Sequence, residues 1–222
     1  MISEAKSVDD YGWRSSRLED HTQHTLPVIK AALSSLHAHR VLDLGSGNGS
    51  VCAELRKLGL DVVGVEYDTN GVAIARSNHP AIPFYQYGVQ DEPAALLSQE
   101  GGRLFDAVVS TEVIEHLFAP HLLPQFARAL LKESGTLIVS TPYHGYLKNL
   151  ALSVFNGWDV HHHPLRTGGH IKFFSRAALA QLLAESGFRV LEFHGTGRFP
   201  YLWKSMIMIA QKEPETSGPI SK

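Results

Sequence analysis

The 222 residues include one cysteine, Cys52. That excludes an internal disulfide framework and any zinc site built on several thiolates. No apolar run approaches the roughly 18 residues of a membrane-spanning helix. The segment Met1 to Asp10 is polar and acidic and lacks the basic start and apolar stretch of a secretory leader. With the lone thiol, this points to a reducing, cytoplasmic setting. Charge of one sign is missing too: 22 acidic residues face 20 basic ones, for a formal net charge of −2. Such balance argues against bulk attraction to nucleic acid or anionic membrane, though it leaves room for a local patch. Internal repeats and low-complexity blocks are absent. The stretch after Gln211 carries two prolines and few apolar groups, so residues 213–222 are expected to be a disordered tail behind one domain, 1–212.

A chain of this length buries roughly 70% of its unfolded surface and needs no staples. At 44% hydrophobic and 19% charged residues it reads as globular. Short apolar runs alternate with helical patterns. Arg40–Gly45, Asp61–Glu66, Pro83–Gly88, Leu104–Ser110 and Thr136–Ser140 read as buried strands. Ser50–Leu58, Thr69–Asn78, Pro93–Ser98 and Leu122–Lys132 read as the helices between them. In the last of these, Leu123, Phe126, Ala127, Leu130 and Leu131 form one stripe, and Pro124 is tolerable only in the first turn. Ser175 suits the N-cap of a further helix closed by Gly187. Phe188–His194 and Tyr201–Ala210 then complete a sheet. This alternation is the signature of a parallel sheet with helices on both faces.

Two motifs carry chemistry. In the first, Asp43-Leu44-Gly45-Ser46-Gly47-Asn48-Gly49 follows a strand and opens a helix. Glycines let the backbone turn sharply and let a ligand approach where a Cβ would block it. Glu66 ends the next strand, where a carboxylate accepts hydrogen bonds from both hydroxyls of a ribose. In the second, Ser110-Thr111-Glu112-Val113-Ile114-Glu115-His116 leaves strand four at the carboxyl edge, where open parallel sheets bind ligands. If this stretch turns helically, Glu112, Glu115 and His116 share one face at i, i+3 and i+4. That makes a divalent-metal corner for Mg²⁺ or Mn²⁺. The alternative is a metal-free corner, with one glutamate bonding backbone amides and the histidine in the pocket wall.

These residues resemble the class I S-adenosylmethionine-dependent methyltransferases over about residues 38–212. The resemblance implies an α/β, Rossmann-like, seven-stranded sheet, mostly parallel, with an antiparallel last strand. It implies S-adenosylmethionine as cofactor. Asp43, Gly45, Ser46, Gly47, Asn48 and Gly49 would cradle its methionine part and Glu66 its ribose. Asp91, after strand three, would face the adenine, and Glu112 and Val113 would complete the pocket. Arg17, with Tyr11 and Trp13, is placed by positional analogy near the cofactor carboxylate. A nicotinamide enzyme is a weak rival: its third glycine stands one residue further on, and it lacks the acid before the turn. The second motif resembles that of two subgroups, the ubiquinone-biosynthesis O-methyltransferases and the small-RNA 3′-terminal 2′-O-methyltransferases. Both imply Glu112, Glu115 and His116 as metal ligands. Gly169-His170-Ile171-Lys172 resembles their approach to the next helix and makes His170 a fourth ligand. Without a metal, His116 or His170 is the candidate general base.

The stretch from 143 to 170 fits no simple connection, and long insertions are commonly functional. Its aromatic content and position after strand five predict a lid over a flat or hydrophobic small-molecule acceptor. The alternative is a surface that packs a second subunit in a homodimer. Three successive histidines, His161, His162 and His163, cannot all face one ion and read as loop surface with at most one useful member. The leading expectation is methyl transfer to a hydroxyl of an aromatic or quinone-like molecule. The alternatives are 2′-O-methylation of an RNA 3′ end, for which no basic stripe is visible, and a catalytically silent cofactor-binding protein.

Overall fold

The computed structural model describes residues 22–162, 164–165 and 168–214. Arg17, Tyr11, Trp13, His163, Arg166 and the 215–222 part of the predicted tail lie outside the described residues. Seven strands form one sheet: β1 (Arg40–Leu44), β2 (Asp61–Glu66), β3 (Phe84–Gln86), β4 (Phe105–Thr111), β5 (Leu131–Pro142), β6 (Phe188–Thr196) and β7 (Ser205–Lys212). Their order is β3-β2-β1-β4-β5-β7-β6. Strands β1 to β5 pair in parallel, and β7 runs antiparallel between β5 and β6. This is the mostly parallel sheet with an antiparallel last strand that the sequence predicts.

Side chains alternate across the sheet, so each strand feeds two cores. On one face Leu42, Val63, Val108 and Leu137 pack with helices α4 (Pro93–Gln99), α5 (Leu122–Leu130) and α8 (Arg176–Glu185). On the other, Val41, Val62, Ala107 and Ile138 pack with α1 (Thr22–Ser35), α2 (Ser50–Arg56) and α3 (Thr69–Asn78). The strand order reverses between β1 and β4. That switch point opens a crevice at the carboxyl ends of the strands. The Gly45 turn leaves β1 there, and Glu112 leaves β4 directly beside it.

Several boundaries differ from the sequence reading, each for a physical reason. Helix α1 was not expected, because Pro27 interrupts its pattern and two of its buried positions are the threonines Thr22 and Thr25. Strand β7 begins at Ser205 rather than Tyr201; Tyr201 takes a left-handed φ of 67° inside a turn. Strand β5 begins at Leu131, so α5 stops at Leu130 rather than Lys132. Strand β3 keeps only Phe84–Gln86 of the predicted Pro83–Gly88. Within 143–170 lie α6 (Tyr146–Val154) and α7 (Trp158–His162). Among the described residues no helix is long and apolar enough to cross a membrane.

Candidate active site

The glycine turn is shaped by what surrounds it. Gly45 has φ +85°, and a Cβ there would stand 2.3 Å from Val113 Cγ2. Its N–H and that of Ser46 both donate to Val65 O at 2.8 Å, which ties the turn to the end of β2. Gly49 has φ +78° and closes against Phe84. The Asn48 side chain accepts from Ser50 N at 3.1 Å and so supports the first turn of α2. Two polar atoms at this turn, Asp43 Oδ1 and Ser46 Oγ, are buried with no hydrogen-bond partner. Orphaned atoms of that kind cost about 1–3 kcal/mol each unless a ligand or water meets them. Burial pushes the Asp43 carboxyl up to about 7, against the Cys52 thiol donating to its Oδ2 at 3.1 Å and with the Glu66 charge adding to the rise.

Glu66 ends β2 facing the same turn. Its Oε2 accepts from Gly47 N at 2.7 Å and its Oε1 from Asp68 N at 2.8 Å. Burial holds its carboxyl above the usual range, partly offset by those backbone N–H groups. One lone pair on each oxygen stays available for a further donor. Tyr67 follows it, half exposed, an aromatic face that the sequence reading did not single out; its signal was its place directly after the acidic strand end. Asp91 is exposed, and its carboxylate accepts from Gly88 N at 2.7 Å, folding its own turn.

The second motif does not form the helical face expected of it. Glu112 has φ +53°, and only Ile114–His116 make a single 3₁₀ turn. The two carboxyls therefore take different hydroxyl partners. Glu112 Oε1 accepts from Ser140 Oγ at 3.0 Å, and Glu115 Oε2 accepts from Thr141 Oγ1 at 3.0 Å. Glu112 also bonds the Ser205 hydroxyl and the Glu115 carboxyl. Burial raises both carboxyls, and their mutual repulsion raises Glu115 further, well above the usual range. Glu115 Oε1 is buried and has no hydrogen-bond partner. The hydroxyls that hold these carboxyls, Ser140, Thr141 and Ser205, were missed in the sequence; the clue was the Ser-Thr pair ending a strand next to the motif.

Residues 169–172 close over this turn. Ile171 N and Lys172 N donate to Glu115 O at 2.9 and 3.0 Å. His116 Nδ1 meets Gly169 O at 3.2 Å. A carbonyl only accepts, so Nδ1 carries the proton, which in the neutral ring puts the lone pair on Nε2. The His116 and His170 rings meet edge to face at 4.8 Å. Glu115, His116 and His170 each bring one ligand atom within 4.8 Å of the others. Three of the four sequence-derived metal ligands are therefore together. The Glu112 carboxyl is not in that group.

Helix α6 is inside out. Tyr146, Leu147, Leu150 and Val154 are exposed, whereas Lys148 is its buried residue. Burial and the Arg198 charge lower the Lys148 ammonium to about 8, while Glu112 pulls it back up. Lys148, Phe155, His161, Arg198, Phe199 and Leu202 line a cavity of about 250 Å³ between α6, α7 and the turn before β7. Sequence reading noted Lys148 only as a formal charge. The run of histidines also departs from expectation: His161 and His162 both approach His144, and the ring centroids lie 6.0 and 5.4 Å from it.

Comparison with known proteins agrees with this geometry. The methyltransferase domain family matches residues 13–192. The ubiquinone biosynthesis O-methyltransferase of Azorhizobium caulinodans is 29% identical over 168 residues, 74% of this chain and 64% of that protein. Its counterpart in Ruegeria sp. (strain TM1040) is 31% identical over 170 residues, 74% of this chain and 66% of that protein. The chain thus spans a little under two thirds of the length of these relatives. The crystal structure of magnesium protoporphyrin IX methyltransferase from Synechocystis PCC 6803 with bound SAH superposes with a TM-score of 0.65 at 19% identity, covering 91% of each chain. At that identity the likeness speaks for the fold. With the family matched across most of its length and the switch-point turn in place, the chain belongs to the methyltransferase domain family, in its class I S-adenosylmethionine-dependent form.

Proposed function

We propose that the chain moves a methyl group from S-adenosylmethionine to a hydroxyl of a small aromatic or quinone-like acceptor. The observation that carries this reading is the meeting, at one switch point, of a ligand-ready glycine turn and a carboxylate–histidine cluster. The residues fit the cofactor. Asp43 Oδ1 and Ser46 Oγ are buried and unpartnered at the turn, where the amino-acid end would sit. The spare lone pairs of Glu66 suit two vicinal ribose hydroxyls, and the half-exposed Tyr67 offers a face to the base. When bound, the cofactor supplies an electrophilic methyl on a sulfonium centre.

The protein must align the acceptor oxygen and remove its proton. A phenol has a pKa near 10 and reacts poorly while protonated. Two groups stand ready. His116 Nε2 carries the lone pair, because Nδ1 is committed to Gly169 O, and an imidazole titrates near working pH. Glu115 Oε1, His116 and His170 also fit a divalent cation, since a buried oxygen without a partner and two imidazoles converge within 4.8 Å. A Mg²⁺ or Mn²⁺ ion held there would supply a lowered hydroxyl pKa. In this reading Glu112 acts through Glu115, holding its orientation. The 143–170 segment is the lid, and its apolar cavity with Lys148 receives the body of the acceptor.

The test is uptake of labelled methyl by catechols, hydroquinones and RNA oligonucleotides, with and without chelator. Transfer to oxygen of an aromatic acceptor, abolished by chelation, is expected. Undiminished transfer in chelator removes the metal and leaves His116 as base. Transfer to RNA alone overturns the acceptor class.

A further inference from the structure

Above the methyl-transfer cluster stands a second group of imidazoles, of which His161 alone borders the cavity proposed for the acceptor. His144 follows β5, and His161 and His162 lie on α7. One nitrogen from each lies within 4.8 Å of the others. His144 is 6% exposed, and the Nε2 atoms of His144 and His162 are buried with no hydrogen-bond partner. A buried nitrogen without a partner is costly, so two of them converging with a third ring need a ligand to meet them. The rings are held in place from outside. His144 N donates to Phe174 O at 3.1 Å. Phe173 stands edge-on to His144 at 5.1 Å and to His162 at 4.8 Å, and Trp158 packs on His162 at 4.2 Å. Burial and the nearby Lys148 ammonium disfavour the charged form of His144 and His162.

We propose that His144, His161 and His162 form a transition-metal site of the zinc type, three imidazole nitrogens with a fourth position open. The donor set argues for this class: imidazole alone suits Zn²⁺, Co²⁺ or Ni²⁺ and disfavours the oxygen-seeking Mg²⁺ and Ca²⁺. It shares no residue with the Glu115 group, which mixes carboxylate and imidazole. Tetrahedral coordination at about 2.0–2.1 Å puts ligand nitrogens roughly 3.4 Å apart. Side-chain rotation on the five-residue α7 can close the remaining gap. Three neutral ligands leave the ion its full charge, and Lys148 stands nearby, so the open position favours an anionic oxygen. Because His144 lies at the sheet and the other two on α7, a bound ion fastens α7 to the end of β5.

Co²⁺ titration of the metal-stripped full chain tests this, since tetrahedral cobalt has an intense visible band and surface-bound cobalt does not. One equivalent with the tetrahedral band is expected, and Zn²⁺ should displace it. The band should persist in Glu115→Gln/His170→Gln, which disables the other cluster. Affinity should fall at least tenfold in His161→Gln, whose partly exposed position spares the core, and in His144→Gln if circular dichroism shows it folded. Zn²⁺ should also slow hydrogen exchange across residues 157–162. A pale octahedral spectrum, unchanged affinity in His161→Gln, or a band lost only in Glu115→Gln/His170→Gln would overturn the assignment. The last outcome moves the metal to the methyl-transfer cluster, so this proposal can fail while that reading stands.

Discussion

Gly45 and Asp43 show how single side chains set this site. Substituting Gly45→Ala meets two obstacles, a φ of +85° and a Cβ 2.3 Å from Val113 Cγ2. The backbone strain costs about 1–2 kcal/mol, and overpacking adds about 1–3. A lowered melting temperature and at least tenfold weaker cofactor binding are expected. Adding Val113→Ala should recover the overpacking part and leave the strain. Wild-type affinity in Gly45→Ala would contradict the close fit. Asp43 makes a different prediction. Its folded carboxyl is raised from 3.8 to about 7, so the native state holds a proton that the unfolded state releases. Stability from this group is present below about pH 4 and is lost as pH climbs to about 7. Asp43→Asn should therefore be more heat-stable than wild type at pH 8, by at most about 4 kcal/mol, and the advantage should vanish near pH 4. Parallel melting curves across that window would refute the burial argument.

At the scale of elements, the sheet separates foundation from function. The amino ends of the strands are pinned far from the glycine turn. Arg40, buried at the start of β1, pairs with Glu100 after α4 and with Asp61 at the start of β2. Tyr85 Oη donates to Glu100 Oε1 at 2.6 Å, and Asp106 accepts from the backbone of His39 and Arg40. Glu100→Ala leaves a buried guanidinium with one exposed partner. A loss of about 3 kcal/mol is expected, read by urea unfolding, with cofactor affinity kept within twofold at low temperature. An affinity loss matching the stability loss would show that the two edges are not independent. The carboxyl ends carry the proposed site instead: β1 delivers the turn, β2 Glu66, β4 Glu112 and Glu115, and β5 the hydroxyls of Ser140 and Thr141.

Across the whole molecule, what was legible in the sequence follows from periodicity. The β1–β5 runs and the Gly45–Gly49 turn announce themselves through local pattern, and so did most helices between them. Helix α1 did not, because Pro27 and its buried threonines mask a stripe that only tertiary packing completes. The carboxylate–histidine cluster was half legible. Residue types and spacing named Glu115 and His116, and the family resemblance named His170, but no local signal shows that Glu112 turns left-handed and bonds Ser140. The approach of His144 to the histidine run was not legible for a similar reason: His144 stands 17 residues before His161, and only the fold brings them together. The proposed methyl transfer depends on one pairing, the cofactor held between the glycine turn and Glu66. Isothermal titration of S-adenosylmethionine into the wild type and Glu66→Ala tests it most directly. One site per chain is expected in the wild type, weakened by about 1–3 kcal/mol in the variant through lost hydrogen bonds to the ribose. No binding by the wild type, or equal affinity in the two proteins, would contradict it.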